Sequence, residues 1–171
     1  ISSQTASTSA TIDFTADITS SYSTYMFTLT DVVPETDDVN FWMRTSTDAG
    51  STWDSSAGNY SYANMAKQDT NQDHGGSSDS ATQIVILSQA VANGSDTNEE
   101  SSSVIYMHNP SGTTYTKFTQ HSVTTESAGE LTIVSGAGRR LSAADVTGVR
   151  FLAASGNIES GTFKLYGLTG S

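Results

Sequence analysis

The segment DTNQD at residues 69–73 puts oxygen-bearing side chains at every second position, the spacing with which calcium loops begin. Asp69, Asn71 and Asp73 could converge on a hard cation, since carboxylate and amide oxygens are the ligands calcium takes. The match then stops. His74 holds the place where an EF-hand needs glycine, and Ser80 that of its bidentate glutamate. An EF-hand is excluded, which leaves a looser calcium loop or a solvated loop with Asx turns.

A second candidate is cationic. Arg139 and Arg140, in SGAGRR at 135–140, are the only adjacent positive charges in a chain with 7 Lys and Arg against 18 Asp and Glu. The run GAGRRLSAAD reads as a glycine-rich turn followed by one helical turn at 141–146, with Ser142 as its N-cap. A helix N-terminus there could cradle a phosphate. A turn joining two strands of an acidic chain favours another role: fork-like pairing with a carboxylate, inside the domain or across a subunit interface.

Aromatic residues supply the third. Trp42 alternates with Phe41 and Met43, so it faces away from them. Trp53, Tyr60 and Tyr62 cluster in STWDSSAGNYSY. Rings at such positions either stack on a ligand or partner, or close the end of a core. Catalysis finds no comparable footing. His74, His108 and His121 lack a nucleophile setting such as G-x-S-x-G. The carboxylates sit in turns such as ETDD at 35–38, where Asp caps backbone. The expectation is a protein that is not an enzyme and needs no cofactor, calcium aside.

Composition narrows the classes further. The net charge is −11, which opposes binding to a nucleic-acid backbone and suits a self-repelling surface. There is no Cys, hence no disulfide and no thiolate metal site. No apolar run is long enough for membrane insertion or for a signal peptide. The chain opens on Ile1, so it reads as processed or as the ordered part of something longer. Sequons at Asn59 and Asn93 matter only in a host that glycosylates.

What must position these groups is a β framework. Ser and Thr make up nearly a third of the chain, and such side chains compete with helical backbone bonds. Alternation recurs: Ile12, Phe14 and Ile18; Tyr25, Phe27 and Leu29; Val39, Phe41 and Met43. It continues at 82–88 around Ile84 and Ile86, 102–108 around Val104 and Tyr106, and 115–123 around Phe118. The last three segments are 130–134 around Leu131 and Ile133, 148–154 around Val149 and Phe151, and 161–168 around Phe163 and Leu165. About nine short strands separated by turn residues predict an all-β fold, an antiparallel two-sheet β-sandwich of jelly-roll type, as one domain over 1–171. Phe27, Phe41, Ile86, Phe151 and Leu165 should lie between the sheets. Residues 64–80 read as a long mobile loop, and 93–103 as a shorter acidic one.

Three stretches taken together resemble a module of tailed-bacteriophage structural proteins. They are SQTASTSATIDFT, YMFTLTDVVPETDDVNFWMRTSTDAGSTWDSSAGNYSY and VSGAGRRLSAADVTGVRFLAASGNIESGTFKLYGL. The resemblance spans nearly the whole chain except 64–80 and carries no catalytic signature. It implies a virion surface protein: a module of a tail fibre, spike or appendage that contributes to host attachment. Its implied partners are other virion proteins, copies of itself as a homotrimer, and a host surface glycan. A capsid decoration protein is the alternative in that setting, and a secreted carbohydrate-binding module the alternative outside it.

Overall fold

A computed structural model of the chain describes residues 1–87, 94–96 and 98–169. Twelve strands appear in it: β1 (Ser2–Ser9), β2 (Ile12–Phe14), β3 (Thr24–Pro34), β4 (Phe41–Ser46), β5 (Tyr60–Gln68), β6 (Asp73–Ala81), β7 (Ile84–Leu87), β8 (Ser101–His108), β9 (Lys117–Thr125), β10 (Leu131–Arg140), β11 (Gly148–Ala153) and β12 (Ile158–Leu168). They form two antiparallel sheets. The larger has eight strands in the order β1-β12-β3-β8-β9-β10-β5-β6, and the smaller has four in the order β2-β11-β4-β7. No helix occurs among the described residues.

The sheets are held together by phenylalanines. Phe27 and Phe163 project from the large sheet onto Phe14, Phe41 and Phe151 of the small one. Phe151 sits at the centre, 5.4 Å from Phe27 and 5.7 Å from Phe163 between ring centroids. Phe27, Phe41, Ile86, Phe151 and Leu165 are all buried, as the alternation predicts. Burying each such side chain contributes roughly 1.5–3 kcal/mol.

All nine expected strands are present, and three more join them. β1 and β6 form the two edges of the large sheet, and their sequences, SSQTASTS and DHGGSSDSA, carry almost nothing apolar. Polar, glycine-rich edges are what keeps a sheet from pairing with another chain. The third is β5. Residues 64–80 are thus mostly the β5–β6 hairpin rather than a loop, because β5 also pairs along its whole length with β10. Of the acidic tract 93–103, residues 101–103 already belong to β8, while Asn93 and Thr97 lie outside the described residues.

Two registers differ from expectation. In β8 the buried residues are Ser101, Ser103, Ile105 and Met107, so Val104 and Tyr106 face outward. In β10 they are Thr132, Val134 and Arg140, so Leu131 and Ile133 face outward. Both strands carry apolar side chains on both faces, and a one-residue choice of phase moves the whole set.

SGAGRR is not a turn. It is the second half of β10, paired on one side with β9 and on the other with β5. Its glycines make room for the opposite sheet. A Cβ on Gly138 would lie 2.9 Å from Cδ1 of Ile84 in β7, and one on Gly136 would collide with the Asn64 side chain. Asn64 uses that space to donate to the Val85 carbonyl at 2.7 Å, and Gln120 donates to the Ile86 carbonyl at 3.0 Å. The large sheet thereby satisfies carbonyls on the free edge of β7. The expected helical turn at 141–146 is absent, since the amides of Leu141, Val146 and Thr147 donate to the carbonyls of Asn59, Pro110 and Ser46.

Candidate interaction surface

Alternation sends the two arginines of β10 to opposite faces. Arg140 points inward and is buried. Its Nε donates to Asp54 Oδ2 at 2.6 Å and its Nη1 to the Ser142 carbonyl at 3.1 Å. Asp54 also accepts from Thr45 Oγ1 at 2.9 Å, and the Tyr60 hydroxyl accepts from the Thr45 amide at 2.7 Å. Burial pushes the Tyr60 phenol up to about 12, outweighing the opposing hydrogen bonds from Thr45. The carboxylate that Arg140 needs is therefore intramolecular. With no helix N-terminus in this region, the phosphate cradle falls away.

Tyr60 is wholly buried and presents no ring to a ligand. Trp53 and Trp42 are half-buried. The Arg150 guanidinium lies 4.3 Å from the Trp53 ring centroid while pairing with Asp13 at 2.6 Å. Arg44 sits 5.8 Å from the Trp42 ring, and among the described residues neither Trp42 Nε1 nor Arg44 Nε finds a hydrogen-bond partner although both are buried. Of the expected aromatic cluster, only Tyr62 borders an open groove, on the far side of the molecule from Trp42. The Asn59 sequon is half-buried beside Leu141.

Asp69, Asn71 and Asp73 fall in and beside the β5–β6 turn. Asn71 takes a left-handed φ of 70°, and the amide of Asp69 donates to the Leu131 carbonyl. A cation does sit here, and it is the Lys67 ammonium. It lies 2.9 Å from Asp73 Oδ1 and donates to the Asn71 carbonyl at 3.0 Å. His74 bonds instead to Gln68 on the inner side at 2.8 Å. No group of three or more His, Cys, Asp or Glu able to hold a metal ion occurs among the described residues.

The outer face of the large sheet is where unexpected features gather. Strands β5, β8, β9 and β10 contain Lys67, Lys117, Arg139 and Arg140, four of the chain's 7 Lys and Arg, and none of its 18 Asp and Glu. All of these cations but Arg140 point outward. At one end of the face Met65, Val123, Leu131 and Ile133 are exposed, Met65 by 73% and Ile133 by 60%. Ile133 stands opposite Val123 on one side and Lys67 on the other, so these side chains make one continuous apolar stripe.

At the other end, six residues along β10, Arg139 stands directly opposite Lys117, and Lys117 opposite His108. Arg139 Nε donates to Ser61 Oγ at 2.9 Å, and its guanidinium lies 5.8 Å from the Tyr115 ring. Tyr106 stacks on His108 with centroids 6.3 Å apart. Beside this row runs a groove of about 420 Å³ with a floor of Ala63, Phe118, Thr119, Ala137 and Gly138. Sequence reasoning named Arg139 but missed Lys117 and His108 beside it, and it missed the apolar end. The available sign was the surplus of apolar residues in 131–134, which a single inward phase cannot absorb.

Comparison with protein-family models, with curated proteins and with solved structures finds no match for this chain.

Proposed function

We propose that this domain is a non-enzymatic structural module of a virion surface, part of a fibre, spike or appendage that contributes to host attachment. It assembles there with copies of itself through the outer face of its large sheet. The setting comes from the resemblance to bacteriophage structural proteins. The observation that carries the assembly is the apolar stripe of Met65, Val123, Leu131 and Ile133, exposed on four adjacent strands that carry no carboxylate, with Asp73 of the neighbouring β6 paired to Lys67 at its border. Exposed contiguous apolar surface marks an interaction site. The chain is acidic overall, at −11, so these acid-free strands meet less repulsion from a second copy than the acidic parts of the surface do. Such a head-to-tail contact uses two different patches, and a rotation of one third of a turn between copies closes it into a trimer.

Sedimentation velocity tests the assembly. The wild-type domain should run as a closed oligomer, and Ile133→Asp, a change at an exposed position, should run as a folded monomer. A wild type that stays monomeric at high-micromolar concentration, or an Ile133→Asp variant that assembles unchanged, refutes the reading. Copy number per particle then separates a tail appendage, present in few copies, from a capsid decoration protein, present in many.

A further inference from the structure

We infer that the groove beside His108, Lys117 and Arg139 is a binding site for an anionic saccharide, a glycan bearing carboxylate or sulfate groups. The inference goes beyond the assembly reading and does not rest on it. The groove's guanidinium-bearing residue, Arg139, lies about 20 Å along β10 from Ile133, at ~3.4 Å per residue.

The first argument is electrostatic. Like charges directly opposite one another on antiparallel strands are destabilising. Lys117 and Arg139 are so placed, with His108 next in the row, and neither cation has a carboxylate partner among the described residues. An acidic chain with 18 Asp and Glu could have placed one there, and the three ion pairs among the described residues show that it does so elsewhere. The unpaired row leaves a local positive field that an incoming anion would neutralise.

The second argument concerns shape and lining. The floor is built of backbone and the small outward side chains of Ala63, Thr119 and Ala137, and Ser61 and Thr119 add hydroxyls at its margin. An apolar floor under a cationic rim matches a ligand with a C–H face and peripheral anions, which is what an acidic sugar offers. Arg139 is held by Ser61 and Tyr115 with its fork free to meet a planar carboxylate or a sulfate. An acidic peptide fits less well. Peptides that dock on sheets pair with a free strand edge, and β9 and β10 are hydrogen-bonded on both sides.

Titration calorimetry tests this with four probes: an oligogalacturonide for carboxylate, a heparin-derived hexasaccharide for sulfate, maltohexaose as a neutral sugar, and polyglutamate as an acidic peptide. At least one charged saccharide should bind, more weakly as salt rises, while maltohexaose and polyglutamate should not. Whichever of the two charged sugars binds more tightly identifies the anion. Replacing both cations, as Lys117→Ala with Arg139→Ala or as the paired glutamine variants, should weaken binding at least about tenfold without lowering the melting temperature. Ile133→Asp should bind as wild type does, even where it abolishes assembly. The inference is overturned if neither charged saccharide binds at millimolar concentration, if the doubly substituted chain binds unchanged, or if polyglutamate binds as tightly as the sugars.

Discussion

Replacing Arg140 with alanine isolates one buried charge and leaves the rest of the fold in place. The Arg140 side chain is 8% exposed and that of Asp54 19%, so the carboxylate stranded by the substitution would keep little water. Its remaining support is the Thr45 hydroxyl, since the Arg140 fork supplied two bonds, at 2.6 Å and 3.4 Å. Breaking a buried pair from one side costs about 3–5 kcal/mol. The partial exposure of Asp54 puts this case near the lower figure. In a domain of this size each kcal/mol lowers the melting temperature by roughly 2–4 °C, which gives a fall of about 6–12 °C. Arg139 provides the internal control, because it is exposed and binds only Ser61 and the Tyr115 face. Its loss should cost about 0–1 kcal/mol. Differential scanning calorimetry reads both, and Arg140→Ala combined with Asp54→Ala should recover part of the loss, since the stranded charge is then gone. Equal melting temperatures for the two single variants would refute the reasoning.

Tyr60 supplies a prediction in alkali. Its phenol ionises near 10 in the unfolded chain and at about 12 in the folded one, so the folded state retains its proton longer. Stability is full below pH 10 and falls as pH rises towards 12, by roughly 2–3 kcal/mol at 1.36 kcal/mol per pH unit. Tyr60→Phe should therefore be the less stable protein at pH 8, having left the Thr45 amide without its acceptor, and should lose less than wild type between pH 10 and 12 in urea titrations. A constant difference between the two across that range would contradict it. At the β5–β6 turn, calcium should release no heat from the wild type, because the Lys67 ammonium already lies against Asp73; calcium heat that disappears in Asp69→Ala and Asp73→Ala would show that the ion displaces the lysine.

How far the sequence could be read depended on whether phenylalanine and its apolar neighbours marked one face of a strand clearly enough to set its phase. β3, with Tyr25, Phe27 and Leu29 inward and Thr24, Met26, Thr28 and Thr30 outward, has one dominant phase and was legible. So were β4, β11 and β12, whose inward phenylalanines meet at Phe151. β1 and β6 were not, because an edge strand protected by serine, glycine and charge has no apolar period to find. The GAG of β10 was misread for a related reason. Glycine usually signals a turn, and only the position of Ile84 and Asn64, far away in sequence, shows that here it signals close approach between sheets. The partner of Arg140 was equally hidden, since Asp54 lies 86 residues from it and in a turn-like run.

The two strands read in the wrong phase, β8 and β10, are the two whose outer sides make up much of the proposed interaction face. An inward Thr132 is tolerated because its hydroxyl donates to Glu126 at 2.7 Å, and an inward Ser103 because it bonds Ser122 at 2.8 Å. With those polar groups satisfied inside, Leu131 and Ile133 stand outside in water, where folding alone gains nothing from them, and Val104 and Tyr106 lie half-buried on the same face. A chain that places threonine and serine in its interior and leucine and isoleucine on its surface violates the pattern that would most stabilise it as a monomer, and such violations concentrate where a surface has a second task. The charges follow the same division. Acid-free strands β5, β8, β9 and β10 lie side by side in a domain that is acidic overall, which lowers repulsion on one face alone. Apolar stripe and cationic row then take opposite ends of that face, roughly 20 Å apart between Ile133 and Arg139, the first suited to a neighbouring copy and the second to an anion.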